Sequence, residues 1–219
     1  MNRKTYQTAL NELKKSVIEM ADQALKNVRQ GLQSFEKNDL DLAREIIKAD
    51  DQIDMYEEEI SKQALRIIWK EQPIAQDLRL VTTILKILTD IERIGDHASD
   101  ISEISLHLEG HQFSRDLSMV LSMAKNADNM VQSAIEALVS EDAVLAKLII
   151  AQDDIVDDLY KQMITKSAEW IKDDVDDTPY VISIILISKY LERVADHAVN
   201  IAEWVIFLVT GSHKNTLLY

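Results

Sequence analysis

The feature that most constrains this chain is that it contains itself twice. Ile91-Glu-Arg-Ile-Gly-Asp-His-Ala-Ser-Asp-Ile-Ser-Glu103 faces, at an offset of 100, Leu191-Glu-Arg-Val-Ala-Asp-His-Ala-Val-Asn-Ile-Ala-Glu203. Upstream the offset is 103: Ala43, Ile46, Asp50, Asp51, Ile53 and Asp54 face Ala146, Ile149, Asp153, Asp154, Val156 and Asp157. The change of offset places a three-residue deletion in the second copy, near residues 170–178. The chain is therefore a duplicated unit of about 100 residues.

The unit is helical. Four Gly and two Pro in 219 residues are too few for the turns of a sandwich or barrel. Apolar residues recur at three and four: Ile84, Ile87, Leu88, Ile91, Ala98 and Ile101 in the first copy, and Ile184, Ile187, Leu191, Val194, Ala198 and Ile201 in the second. The pattern predicts helices over 5–36, 39–69 and 74–108, then 115–139, 141–172 and 179–209. Asn38 and Ser140 are candidate N-caps. Pro73 and Pro179 open the third helices, and Gly110 and Gly211 follow their ends. A helix of 35 residues is ~50 Å long, and long helices with short connections pack antiparallel. The expected fold is all-α without a sheet: two tandem antiparallel three-helix bundles, 1–110 and 115–211, and a tail, 212–219.

A net charge of −14 disfavours a nucleic-acid backbone or an anionic lipid surface as partner. With no Cys, any metal must be held by oxygen or imidazole. The opening residues have no apolar signal-peptide core, and the longest apolar stretches are too short to span a membrane. The expectation is a cytoplasmic protein with no nucleic-acid partner and no membrane insertion.

Carboxylates fall at spacings of four. Glu92, Asp96 and Asp100 stand at i, i+4 and i+8, while Asp50 and Asp54, Asp153 and Asp157, and Glu192 and Asp196 are i, i+4 pairs. Residues four apart are neighbours on one helix face, and like charges there repel. From the apolar stripe, Glu92 sits at its border and Asp96 and Asp100 turn progressively toward solvent, giving an acidic stripe on the outside of the bundle. Pairing with Arg93 and Lys residues, or plain solvation, relieves the repulsion. So does a bridging cation, and recurrence in both copies favours it. His97 and His197 are either extra ligands or polar residues at a helix crossing. His107 and His111 read as loop residues around Gly110, and Trp69 and Trp170 as core or end-packing residues. The Glu-x-x-His pair of di-iron bundles is absent after Glu92, as are phosphate loops, nucleophile elbows and HExxH.

With IERIGDHASDI at 91–101, LERVADHAVNI at 191–201 and QPIAQDLRLVTTILKI leading into the first, the chain resembles the PhoU family over nearly its whole length. The resemblance implies a non-enzymatic, metal-binding regulator of phosphate homeostasis, usually dimeric. It would restrain the phosphate ABC transporter and a phosphate-responsive sensor histidine kinase when phosphate is plentiful, associating with membrane complexes through these partners. Carried onto this sequence, the family's metal motifs fall on Asp50, Asp54, Glu92, Asp96 and Asp100, and on Asp153, Asp157, Glu192 and Asp196. Asn200 stands in the place of Asp100, so the first copy is expected to bind divalent or trivalent ions (Fe, Mn, Zn or Mg) more strongly. The alternative is a metal-dependent hydrolase or oxidase built on the same carboxylates.

Overall fold

The computed structural model describes residues 3–110, 115–213 and 216–217. Six helices follow one another: α1 (Arg3–Lys37), α2 (Leu40–Glu71), α3 (Ala75–His107), α4 (Ser118–Ser140), α5 (Ala143–Asp173) and α6 (Thr178–Thr210). The first three pack together as one bundle and the last three as another. The periodic apolar positions fill the interiors, with Ile84, Ile87, Ile91 and Ile101 matched by Ile184, Ile187, Leu191 and Ile201, all buried. The deletion has a simple consequence. Aligned on the repeated motif, α6 starts three residues later than α3, so the second copy lacks about one turn at the start of its third helix.

Several local expectations are corrected. Asn38 and Ser140 do not cap the second helices; the caps are Asp39, which accepts from Leu42 N at 3.0 Å, and Asp142, which accepts from Val144 N at 2.8 Å and Leu145 N at 3.0 Å. Asn38 instead takes the left-handed conformation, φ 52°, that ends α1, and the Ser140 hydroxyl donates back to Glu136 O. Pro179 lies in the first turn of α6, but Pro73 precedes α3, whose N-cap position is Ile74. α4 begins at Ser118, three residues later than expected. Trp69 is exposed, whereas Trp170 is partly buried with Arg115 and Lys166 over its ring. His107 is the last residue of α3, and His111 lies outside the described residues. The tail adds the one strand pair found among the described residues, Ser212–His213 antiparallel to Thr216–Leu217, which the sequence pattern did not foresee.

The cap assignment is testable. Asp142→Ala is expected to cost about 1 kcal/mol, because two amides of the first turn lose their acceptor. Ser140→Ala should stay within about 0.5 kcal/mol of the parent. Urea unfolding of the two variants distinguishes the positions.

The bundles meet side by side, α3 along α6 and α1 along α4, with α2 and α5 on the outer flanks touching only helices of their own repeat. Arg29 spans the α1–α4 contact with a bidentate pair to Asp128 at 2.6 and 2.9 Å, and Lys14 reaches Glu141 at 2.9 Å. Arg79 Nε donates to Leu208 O at 2.9 Å across the α3–α6 joint.

Candidate cation-binding grooves

Antiparallel packing turns spacing along a helix into proximity between helices. The Asp50–Asp54 face of α2 is set against the Glu92–Asp96 face of α3, and the Asp153–Asp157 face of α5 against Glu192–Asp196 of α6. Each repeat therefore carries an acidic groove. Along α3 the exposed fraction of the side chain rises from 20% at Glu92 to 27% at Asp96 and 37% at Asp100, the progressive rotation expected from 100° per residue.

The α2 and α5 members are more buried than an outside stripe implies. Asp50 Oδ1 and Asp153 Oδ1 are both inaccessible to solvent and without a hydrogen-bond partner. Burial first, then the charges of Asp96 and Asp54, pushes the Asp50 carboxyl up to about 6. The nearby Ser99 hydroxyl is likewise buried without a hydrogen bond. Burial, followed by Asp196 and Asp157, does the same to Asp153, again to about 6. Glu92 is raised by burial and by Asp96, and Asp196 by burial and by Glu192. Two equivalent carboxylates in two repeats thus carry the same electrostatic penalty.

Basic side chains relieve part of it. Arg93 Nη1 donates to Asp96 at 2.6 Å and Arg93 Nε lies 3.6 Å from Glu92. In the second repeat Lys189 takes both oxygens of Glu192 at 2.6 Å. The acidic side chains are drawn to these cations, and among the described residues no three metal-ligating side chains converge as a preformed cage. The donor set is all-carboxylate oxygen, which suits hard and borderline cations, and the orphaned Asp50 and Asp153 oxygens are lone pairs that such an ion would satisfy.

Asp100 and Asn200 have partners other than those the spacing suggested. Both sit at the joint between the repeats. Asp100 Oδ2 lies 3.0 Å from His97 Nδ1, and the Asn200 amide donates to Asp90 at 3.1 Å. His197 Nδ1 approaches the same Asp90 oxygen at 2.9 Å, and the His97 and His197 rings lie 5.7 Å apart. Both histidines therefore stand at the α3–α6 crossing. A cleft of about 710 Å³ runs from Asp50 and Asp96 past Asp100 to Arg193 and His197. Sequence reasoning missed Asp90 and Tyr190. They are equivalent positions just ahead of the repeated motif, and the joint uses them differently: Asp90 holds His197, while Tyr190 stacks on His97 at 5.4 Å. Their mismatch within an otherwise close repeat was the available signal.

Fold and grooves define a class: a duplicated helical-bundle protein that presents a carboxylate-lined groove on each repeat. The PhoU domain model matches residues 17–105 and 120–205, one match for each bundle. A Clostridium acetobutylicum protein described as a phosphate-specific transport system accessory protein PhoU homolog is 34% identical over 212 residues, covering 96% of this chain and 97% of the relative. The crystal structure of PhoU from Pseudomonas aeruginosa superposes with a TM-score of 0.87 at 33% identity, covering 94% of this chain and 100% of that one. That of the phosphate transport system regulatory protein PhoU from Streptococcus pneumoniae gives 0.86 at 26% identity, covering 95% and 98%. This chain belongs to the PhoU family, an accessory and regulatory family and not an enzymatic one.

Proposed function

We propose that this protein is a cytoplasmic adaptor that regulates phosphate-specific transport. It restrains the phosphate ABC transporter and the pathway of the phosphate-responsive sensor histidine kinase when phosphate is plentiful. The observation that carries the reading is the match of both repeats, over nearly the whole chain, to relatives described as accessory proteins of that system. Among the described residues no helix is long and apolar enough to cross a membrane, which fits a protein that reaches the transporter through partner proteins.

The grooves are the part of this adaptor that takes cations. Asp50, Asp54, Glu92 and Asp96 hold one set, and Asp153, Asp157, Glu192 and Asp196 the other, with Asp100 and Asn200 at the joint-side margin. Fe, Mn, Zn and Mg all suit oxygen donors. What supports the assignment is the pair of buried, unpartnered carboxylate oxygens at equivalent positions. Arg93 and Lys189 neutralise part of the acidic charge and are the groups a cation displaces. Bound cations then change the charge of a face available for docking.

Deletion is expected to leave phosphate-starvation genes switched on in phosphate-rich medium, with excess phosphate uptake. Glu92→Ala combined with Asp96→Ala should reproduce part of that phenotype. Unchanged gene expression and uptake after deletion would overturn the adaptor reading; normal regulation by a variant that no longer binds metal would separate the cations from signalling.

A further inference from the structure

The duplicated fold supplies its own control for surface residues, and it sets the two ends of the molecule apart. At the end formed by the α2–α3 connection, Leu65, Trp69 and Ile74 are exposed by 57%, 76% and 78%. Arg66 and Lys70 are exposed beside the first two, with no ion-pair partner among the described residues. Residues four apart share a helix face, so Leu65 and Trp69 form one row and Arg66 and Lys70 the next. At the offset of 103 the second repeat carries Ala168, Glu169, Lys172 and Asp173, also exposed. The apolar and cationic residues are therefore not needed to close such a bundle. The connection that follows in the second repeat, Asp174-Val-Asp-Asp177, is acidic where the first carries Ile74. α3 and α6 run antiparallel, with Arg79 at Leu208 and Asp90 at His197, so the cationic and acidic tips lie at opposite ends.

We propose that the Trp69 tip is a contact site for an anionic lipid surface, which the molecule meets end-on. The chemistry is that of an interfacial anchor. An indole and a branched aliphatic side chain enter the headgroup layer, and two free cations beside them meet lipid phosphates. The net charge of −14 opposes a broadside approach but not this one. Asp54 and Glu92, the groove acids of the same repeat nearest the tip, lie roughly 20–27 Å back along their helices, more than twice the ~8 Å screening length. Of the acids closer in, Glu58 is paired with Lys62 and Glu141 is held by Lys14 and Gln76. Glu71 and Asp77 are partly buried and lie beside Tyr6. The acidic tip is repelled by the same surface and points away from it. So few anchoring groups make the contact weak and reversible.

The test is flotation of the full chain with vesicles, comparing phosphatidylglycerol mixed with phosphatidylcholine against phosphatidylcholine alone. A chelator is present, so that no cation bridges the acidic grooves to lipid. Wild type is expected to float with the anionic vesicles only, and less as added salt screens the contact. Trp69→Ser and Ile74→Ser should each weaken binding roughly fivefold or more. Arg66→Glu with Lys70→Asp, the residues of the second repeat, should abolish it, at roughly fivefold per lost cation and more for the added repulsion. Val175→Ser at the acidic tip should change nothing. All these sites are exposed, so helical circular dichroism should stay that of wild type. A wild type that ignores anionic vesicles overturns the proposal, including the outcome in which the tip captures an acidic protein instead. So does binding that survives the tip variants, or that Val175→Ser weakens as much. Failure here leaves the regulatory reading standing, because that reading reaches membrane complexes through partner proteins and uses no lipid contact.

Discussion

Replacing Asp50 and Asp153 together by Asn is expected to stabilise the cation-free protein at pH 7.5, by roughly 5 °C or more in thermal midpoint. Each carboxylate is ionised there at a cost, because burial and neighbouring acids hold its folded pKa near 6, above the ordinary value of 3.8. Two units at 1.36 kcal/mol each set an upper bound, and solvent access reduces it to about 1–2 kcal/mol per site. For a protein of this length 1 kcal/mol moves the midpoint by roughly 2–4 °C. The sign with pH follows from linkage. Folded-state pKa values above the unfolded ones mean that the folded chain holds extra protons between about pH 6 and pH 4. The contribution of these two groups to stability therefore rises as pH falls through 6. The difference between wild type and the double Asn variant cancels the remaining carboxylates, and it should shrink from pH 7.5 to pH 4.5. Added Mn²⁺ should raise the midpoint of wild type and do much less for the variant. A variant less stable than wild type at pH 7.5, without cations, would contradict the electrostatic account of the grooves.

Gly31→Val is expected to destabilise the protein by about 3 kcal/mol, measured by urea unfolding, through steric contact and not through turn geometry. Gly31 lies inside α1, where a Cβ would stand 2.9 Å from Ala98 O and 3.0 Å from Ser102 Oγ of α3. The first of these is backbone, so relief requires α1 and α3 to separate. Gly31→Ala meets the same carbonyl but gains about 1 kcal/mol of helix propensity, so its net cost should be clearly smaller. The repeat again gives a control. The position equivalent to Gly31 is Ala134, buried in α4, so the second bundle accommodates the methyl group that the first excludes. A Gly31→Val variant as stable as the parent would show that the α1–α3 contact yields without loss of packing.

Local signals and their ambiguities explain how much of the fold was legible. The six helices follow from a 3.6-residue apolar period that a long amphipathic helix cannot disguise. The caps lie one and two residues beyond Asn38 and Ser140; at the first junction the ambiguity is that Asn serves both as an N-cap and as a left-handed helix terminator. Asn38 performs the second role, and Asp39 takes the first. Trp69 is exposed, and an aromatic residue near the last turn of a helix carries no mark in the sequence of whether a neighbouring element covers it. The terminal strand pair, two residues on each side, is too short for any alternation to register.

By itself the sequence determined the duplication, the helical class, the antiparallel bundles and the shared face of each carboxylate series, since these follow from the residue pattern along the chain and from connections too short for any other packing. Only the tertiary structure decided which faces meet. It set α2 against α3 and α5 against α6, burying one oxygen of Asp50 and one of Asp153. It also gave Asp100 to His97 at the joint and joined Asn200 and His197 to Asp90, a residue of the other repeat. Spacing along one helix states direction about an axis; it carries no information on the rotation and offset with which a second helix docks. Those are chosen by how the apolar stripes of six helices fill one continuous core.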